Sequence, residues 1–277
     1  MNNLLKTFKK DNQVALNKNQ YSFSYIVQFD KFGEKVLNDL LKEKNKKQKI
    51  IIGPLYNLDN LKSLSARVKT NKQIKILAAS KIAQSNLLNE LDLDIAYDDT
   101  VVCPGGVISK KELLENAKIS NRIDKCLIYF KKRNAKELDY VKHCLDNRNI
   151  KYEIFEYGKY NNKDLLEASK KYKFGIIIGT TESQGFGIQE ILSCNLPVIV
   201  LNSNVNNFEG YKLNGTTVPY WSNDCGVIID NLDEFNLIFD NFYKNLKKYQ
   251  PHKLIQKYLT FEKSREKLFS LYETIND

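Results

Sequence analysis

The chain has 277 residues, 42% hydrophobic and 27% charged, enough for one large core or two modest ones and ordinary for a folded globular protein. A disordered polymer is excluded by that balance, and no apolar run approaches the roughly 20 residues a membrane-spanning helix needs. The net charge of +10 is uneven: residues 1–120 carry 20 Lys or Arg against 13 Asp or Glu, and residues 121–277 carry 23 against 20.

The first ten residues, MNNLLKTFKK, lack the apolar centre of a signal peptide, so a soluble or peripheral cytoplasmic protein is expected. Five widely spaced cysteines with no C-x-x-C pair suit reduced thiols, and with two histidines in the whole chain a zinc site is not expected. Tyr21, Phe23, Tyr25 and Val27 alternate with Ser22, Ser24, Ile26 and Gln28, which predicts a half-buried strand. Phe32, Val36, Leu37, Leu40 and Leu41 then form a helical stripe, ending in the basic run at 42–49. That run can be a solvated helix end, or a contact for an anionic membrane surface, a polyanionic acceptor or nucleic acid.

A second strand, Lys49–Ile52, ends in a Gly53-Pro54 turn. A helix through Leu58, Leu61 and Leu64 follows, then a strand over Ile74–Ala78 and a helix over Ile82–Leu88. Asp92 and Asp94 spell D-x-D, a metal-binding pattern in some transferases, but they precede an acidic turn and are taken as surface. Pro104-Gly105-Gly106 punctuates the chain, and a domain boundary is expected between Gly106 and Asp124. The second domain opens with a buried strand, Cys126–Phe130, followed by Lys131-Lys132-Arg133. Lys131 and Arg133 project the same way from a strand end and are candidate phosphate ligands, against ordinary surface charge. Asn134 caps a helix through Leu138, Val141 and Leu145, and Tyr152–Phe155 forms the next strand, with Tyr157 just beyond it.

The most informative stretch is 174–202. Gly175–Ile178 is a strand buried on both faces, Thr180–Gly185 a polar loop, and Ile188, Ile191 and Leu192 a helical stripe. Asn195 suits a left-handed helix end, and Val198–Leu201 is a further strand. A strand, loop, helix, strand unit collects ligands where loops leave the carboxyl ends of parallel strands, and the unpaired N–H groups of the helix start favour an anion. Glu182 and Glu190 frame that loop.

The segment E-S-Q-G-F-G-I-Q-E, followed by I-L-S-C-N-L-P-V-I, resembles the E-x7-E motif of group 1 retaining glycosyltransferases, with Ile191 and Asn195 in place of the usual Ala and Gly. The resemblance covers roughly 125–230, and V-V-C-P-G-G-V at 101–107 is similar to the segment entering that family's interdomain linker. It implies an α/β fold of GT-B type, two Rossmann-like domains facing a cleft, here with a small acceptor-side domain over 1–120 and a nucleotide-sugar domain over 121–277. It further implies that Glu190 holds the donor ribose and that Glu182, Ser183, Gln184, Gly185, Phe186 and Gly187 approach the donor sugar. Lys131 and Arg133 would bind the diphosphate, and Gly53 would face the phosphates from the first domain. The activity implied is metal-independent, retaining sugar transfer from a nucleotide-sugar to a hydroxyl of a glycan, protein or lipid; the nucleotide-sugar is a co-substrate and no cofactor is expected. A binding protein that keeps the pocket without turnover stands as the alternative. Nucleic acid is not an expected partner, because carboxylates at the main site repel a phosphate backbone.

Past Asn202, the polar segment 203–217 is expected to be a mobile loop, and Tyr220 and Trp221 end it, the Trp as a packing anchor. A last strand over Cys225–Ile229, a helix over Leu232–Leu246 and one closing helix over Pro251–Ile275 complete the chain.

Overall fold

The computed structural model describes residues 23–42, 49–55 and 57–274. Tyr21 and Ser22 of the first expected strand, and all but the ends of the basic run at 42–49, lie outside the described residues. Contacts divide the chain into two units, the first comprising residues 1–106, 207–213 and 262–277 and the second residues 107–206 and 214–261.

The first unit is built on β1 (Phe23–Gln28), α1 (Lys31–Lys42), β2 (Lys49–Leu55), α2 (Leu58–Thr70), β3 (Ile74–Ala78), α3 (Lys81–Asn89) and β4 (Thr100–Val102). Its four strands are parallel and lie in the order β1-β2-β3-β4. Three of its elements differ from the sequence pattern. Ile26, on the polar side of the expected alternation, is in the core, while Tyr25 packs on the opposite face against Ile51, Leu77 and Cys103. A parallel sheet is covered on both faces, so alternation is a poor guide there. Phe32 is 73% exposed, because Asp30 caps the helix and the inward stripe falls on Gly33, Leu37 and Leu40. Gly53-Pro54 is not a terminal turn: β2 runs through it to Leu55.

The second unit begins with α4 (Lys110–Ala117) and continues with β5 (Ile123–Lys131), α5 (Ala135–Asp146), β6 (Lys151–Glu156), α6 (Asn162–Lys171), β7 (Tyr172–Gly179), α7 (Phe186–Ser193) and β8 (Val198–Leu201). After β9 (Val205–Phe208) and β10 (Tyr211–Asn214) come β11 (Gly226–Ile229), α8 (Phe235–Lys244), α9 (His252–Tyr258) and α10 (Phe261–Thr274), the last assigned to the first unit. The sheet of this unit is parallel throughout, in the order β11-β8-β7-β5-β6. Its apolar strands serve two cores by strict alternation: Leu127, Tyr129 and Ile177 face one side, and Cys126, Ile128, Ile176 and Ile178 the other. On that second side Phe174 meets Phe239 and Phe242 edge-on, each pair adding aromatic contact to buried area.

The segment 203–217, expected as a mobile loop, is instead the β9–β10 hairpin. Glu209 and Gly210 both have positive φ, which a tight two-residue hairpin turn requires, and Leu213 is buried in the first unit's core. The expected single closing helix is two. Leu259 and Thr260 leave the helical path to pair with residues 107 and 108: Val107 N–H donates to Leu259 O at 2.9 Å and Phe261 N–H to Ile108 O at 2.9 Å. The expected helix over 232–246 starts with a 3-10 turn and is α-helical only over α8.

Candidate functional site

In the five-stranded sheet the chain winds outward from β5 in both directions, first to β6 and then, after returning, to β7, β8 and β11. The reversal falls between β5 and β7, and an open parallel sheet has its natural crevice outside the carboxyl ends of those two strands. Lys131 ends β5 and is in register with Gly179, which ends β7. The flanking loops are tied to the end of β5, with Thr180 N–H donating to Lys131 O at 3.2 Å and Tyr157 N–H to Phe130 O at 2.8 Å.

The loop 180–185 is held in place by its backbone. Glu182 N–H donates to Thr216 O at 2.9 Å, and Gly215 packs so closely on Thr181 that no side chain would fit there. Thr217 is fully buried and its hydroxyl donates to Gly179 O at 3.2 Å, while Asn202 Oδ1 accepts from Thr216 Oγ1 and Thr217 N. Gly185 adopts φ +83°, a left-handed conformation that β-carbon-bearing residues rarely take, and it turns the chain into α7. Gln184 is buried and spends its side chain on Gln189 Oε1 at 3.0 Å, while Gln189 Nε2 donates back to Gln184 O at 2.6 Å. That pair locks the loop to the helix it starts. Ser183 is exposed, and Phe186 packs on the core beneath.

Gly187 also has a packing reason. A β-carbon there would meet the Tyr129 hydroxyl at 3.0 Å, so its absence admits a tyrosine of the sheet close to the helix start. Tyr129 is hydrogen-bonded to Tyr160 and packs edge-on against it at 6.1 Å. Burial, above all, raises the Tyr160 phenol, and the negative charges of Glu190 and Glu182 add to that rise, so both carboxylates act on one tyrosine. Glu190 is half-buried on α7.

The two cations at the end of β5 have different fates. Lys131 Nζ lies 2.6 Å from Glu182 Oε1 and 4.5 Å from the centre of the Tyr157 ring, with side chains only 16% and 12% exposed in the Lys–Glu pair. Arg133 donates from Nε to Glu137 at 2.7 Å and from Nη1 to the carbonyls of Gly179 at 3.1 Å and Asn202 at 2.9 Å, and its Nη2 also meets Glu137. That hydrogen bonding holds the Glu137 carboxyl below the usual carboxylate range. Arg133 therefore joins the ends of β5, β7 and β8, and Lys132 between them is exposed with φ +50°. Gly53 belongs to the first unit, inside β2, with φ +111°.

The structure thus brings Lys131, Glu182, Glu190 and the Gly185 turn together within the second unit, with Tyr160 beside them, and adds Tyr129, which the sequence pattern passes over. The signal for Tyr129 is a hydroxyl in an otherwise apolar strand, C-L-I-Y-F, because a buried phenol needs a partner. All five cysteines are free and buried, with burial pushing the Cys103 thiol up to about 12 and Cys194 and Cys225 up to about 11. Among the described residues no group of three or more His, Cys, Asp or Glu is placed to hold a metal ion, and no helix is long and apolar enough to cross a membrane.

No family model and no curated protein matches the sequence. Solved structures do match the fold. The GtfA/B complex aligns with a TM-score of 0.54 at 12% identity over 87% of this chain and 56% of the other. A point mutant of S. aureus TarM aligns at 0.53 and 11% over 87% and 54%, and the lipopolysaccharide outer core galactosyltransferase WaaB at 0.54 and 14% over 89% and 75%. The chain spans a little over half the length of the first two. The fold is that of GT-B glycosyltransferases, α/β with two Rossmann-like domains on parallel sheets.

Proposed function

We propose that the chain transfers a sugar from a nucleotide-sugar to an acceptor hydroxyl on a glycan, protein or lipid, without a metal and with retention of anomeric configuration. The observation that carries this is the placement of Lys131, Glu182 and the α7 start at the reversal between β5 and β7, within a GT-B fold. The neighbours TarM, in a complex with UDP and an α-GlcNAc-glycerol, and the pneumococcal O-GlcNAc transferase GtfA, in a complex with UDP and GlcNAc, make UDP-linked sugars the first donors to test.

The chemistry requires negative charge to be stabilised where it develops. As the anomeric carbon leaves the diphosphate and bonds to the acceptor oxygen, the leaving oxygen takes the bonding electrons and the acceptor hydroxyl's proton passes to the departing diphosphate. Lys131 and the unpaired N–H groups at the start of α7 flank the place where that charge develops, and once Lys131 has turned from Glu182 to the bound diphosphate they need no further reorganisation during the step. Glu190 would hold the ribose hydroxyls, and Glu182, whose loop is anchored at Thr216, would orient the sugar. Gly185 sets the turn that aims α7 at the phosphates; Ser183 and Phe186 border it. The diphosphate role falls to Lys131, since the hydrogen bonds of Arg133 go to Glu137 and to strand-end carbonyls.

That commitment of Arg133 also favours a second reading, a nucleotide-sugar-binding protein without turnover, because one cation fewer faces the leaving group. A thermal-shift panel of UDP- and GDP-sugars, with DNA and RNA as controls, tests both, since a ligand selective for the folded state raises its melting temperature. A shift with a nucleotide-sugar is expected; shifts with nucleic acid alone would end the proposal. Donor hydrolysis or transfer with candidate acceptors then separates the transferase from the binding protein.

A further inference from the structure

The cation assigned to the diphosphate is already in use. Lys131 Nζ is 2.6 Å from Glu182 Oε1, and both side chains are largely enclosed. The backbone that carries Glu182 is anchored beside it, because the Glu182 N–H donates to Thr216 O at 2.9 Å. A diphosphate that enters must draw Lys131 away from this carboxylate.

We infer that Glu182 sets a preference for the nucleotide-sugar over the free nucleoside diphosphate by competing for Lys131, and so speeds product release. This rests on the transferase reading above. With the donor bound, Lys131 turns to the diphosphate and the sugar hydroxyls donate to Glu182, so both charges keep a partner. With the free diphosphate bound, Glu182 loses Lys131 and gains no donor, and it faces a terminal phosphate that carries more charge than the sugar-linked one. An unpaired, partly buried carboxylate near a like charge is unfavourable, and at an effective dielectric of about 20 the repulsion over about 5 Å is enough for an effect of roughly tenfold after screening. The same carboxylate therefore helps hold the substrate and helps expel the product.

The test is equilibrium binding of UDP and of UDP-N-acetylglucosamine to the wild-type chain, Glu182→Gln and Glu182→Asp, with melting curves to confirm folding. Glu182→Gln should bind UDP about tenfold more tightly than wild type and the nucleotide-sugar more weakly, inverting the preference, while Glu182→Asp keeps the wild-type order. A structural role alone would weaken both ligands together. In the wild type the preference should narrow as salt rises, and this decides the matter should Glu182→Gln fail to fold: a preference unchanged by salt overturns the inference. If the wild type binds both ligands and Glu182→Gln binds UDP no more tightly, this inference falls and the transferase reading stands. Failure of the folded wild type to bind either ligand overturns both.

Discussion

The two sheets of this protein are built from the same units and differ in how they are wound. The four strands of the first run β1-β2-β3-β4, always adding on the same side, and among the described residues this sheet has no reversal of direction. The second reverses between β5 and β7, and its concentrated polar chemistry sits there. Each sheet also carries a carboxylate largely shielded from solvent. Asp99 in the first unit, 4% exposed, is paired with both Lys75 at 3.3 Å and Lys72 at 3.5 Å, whereas Glu182 has Lys131 as its one ion-pair partner among the described residues. The doubly paired carboxylate is suited to staying put, and the singly paired one to exchanging partners. A buried ion pair is thus no mark of function until its place in the winding is known.

The largest effect should come from removing the cation at each place. Lys131→Ala leaves Glu182 uncompensated and should cost about 3 kcal/mol of stability, by the usual range for breaking an enclosed pair, and should also abolish nucleotide-sugar binding. As solvent-facing phosphate ligands, Lys131 and Arg133 would be expected to contribute little to stability; their enclosure and hydrogen bonds raise that expectation. Lys75→Ala, with Lys72 still beside Asp99, should cost less and leave donor affinity unchanged. Urea denaturation with binding titrations measures both, and equal loss of binding in the two variants would erase the functional contrast between the sheets.

Next in size is Glu190→Gln. A carboxylate accepting ribose hydroxyls is worth about 1.5 to 3 kcal/mol, so affinity for the nucleotide-sugar should fall by roughly one to two powers of ten with folding preserved. Binding as tight as wild type in a titration would remove Glu190 from the site.

A smaller effect tests the packing under α7. Gly187→Ala brings a β-carbon to about van der Waals overlap with the Tyr129 hydroxyl and should cost about 1 kcal/mol, at the low end for overpacking. Tyr129→Phe removes that oxygen, so the double variant should recover part of the loss. A strictly additive cycle in denaturation midpoints would mean that the two sites do not press on each other.

The smallest effect is a pH dependence at His252, whose ring Nδ1 lies 2.9 Å from Asn195 Oδ1, at the left-handed end of α7. Burial lowers its pKa, the Lys253 charge lowers it further, and Asp224 opposes both. The folded state then holds fewer protons than the unfolded one below the usual imidazole value of about 6.5, so this contribution is complete above that pH and fades as pH falls through the lowered value. Melting temperatures should therefore drop more between pH 7 and 5.5 for the wild type than for His252→Gln. Identical slopes would count against the coupling.

The chain's periodicity and punctuation determined a great deal by themselves. β3 spans Ile74–Ala78 and β8 Val198–Leu201 as the apolar runs indicate, Asn134 caps α5, and Asn195 has φ +57°. These depend on neighbours in sequence: a strand's apolar run, a cap's side-chain oxygen, a residue that tolerates the left-handed conformation. The bracketing of a loop by Glu182 and Glu190 was legible for the same reason, since Gly185 and the helical stripe after it are local. Only the tertiary structure decided that Gly187 makes room for Tyr129, that Arg133 is bound to Glu137 and to strand-end carbonyls while Lys131 meets Glu182, that 203–217 is a hairpin, and that the closing helix breaks where Leu259 and Thr260 pair with 107 and 108. Each of those joins residues distant in sequence, and a one-dimensional pattern records which residues can make such contacts but not which partner each one finds.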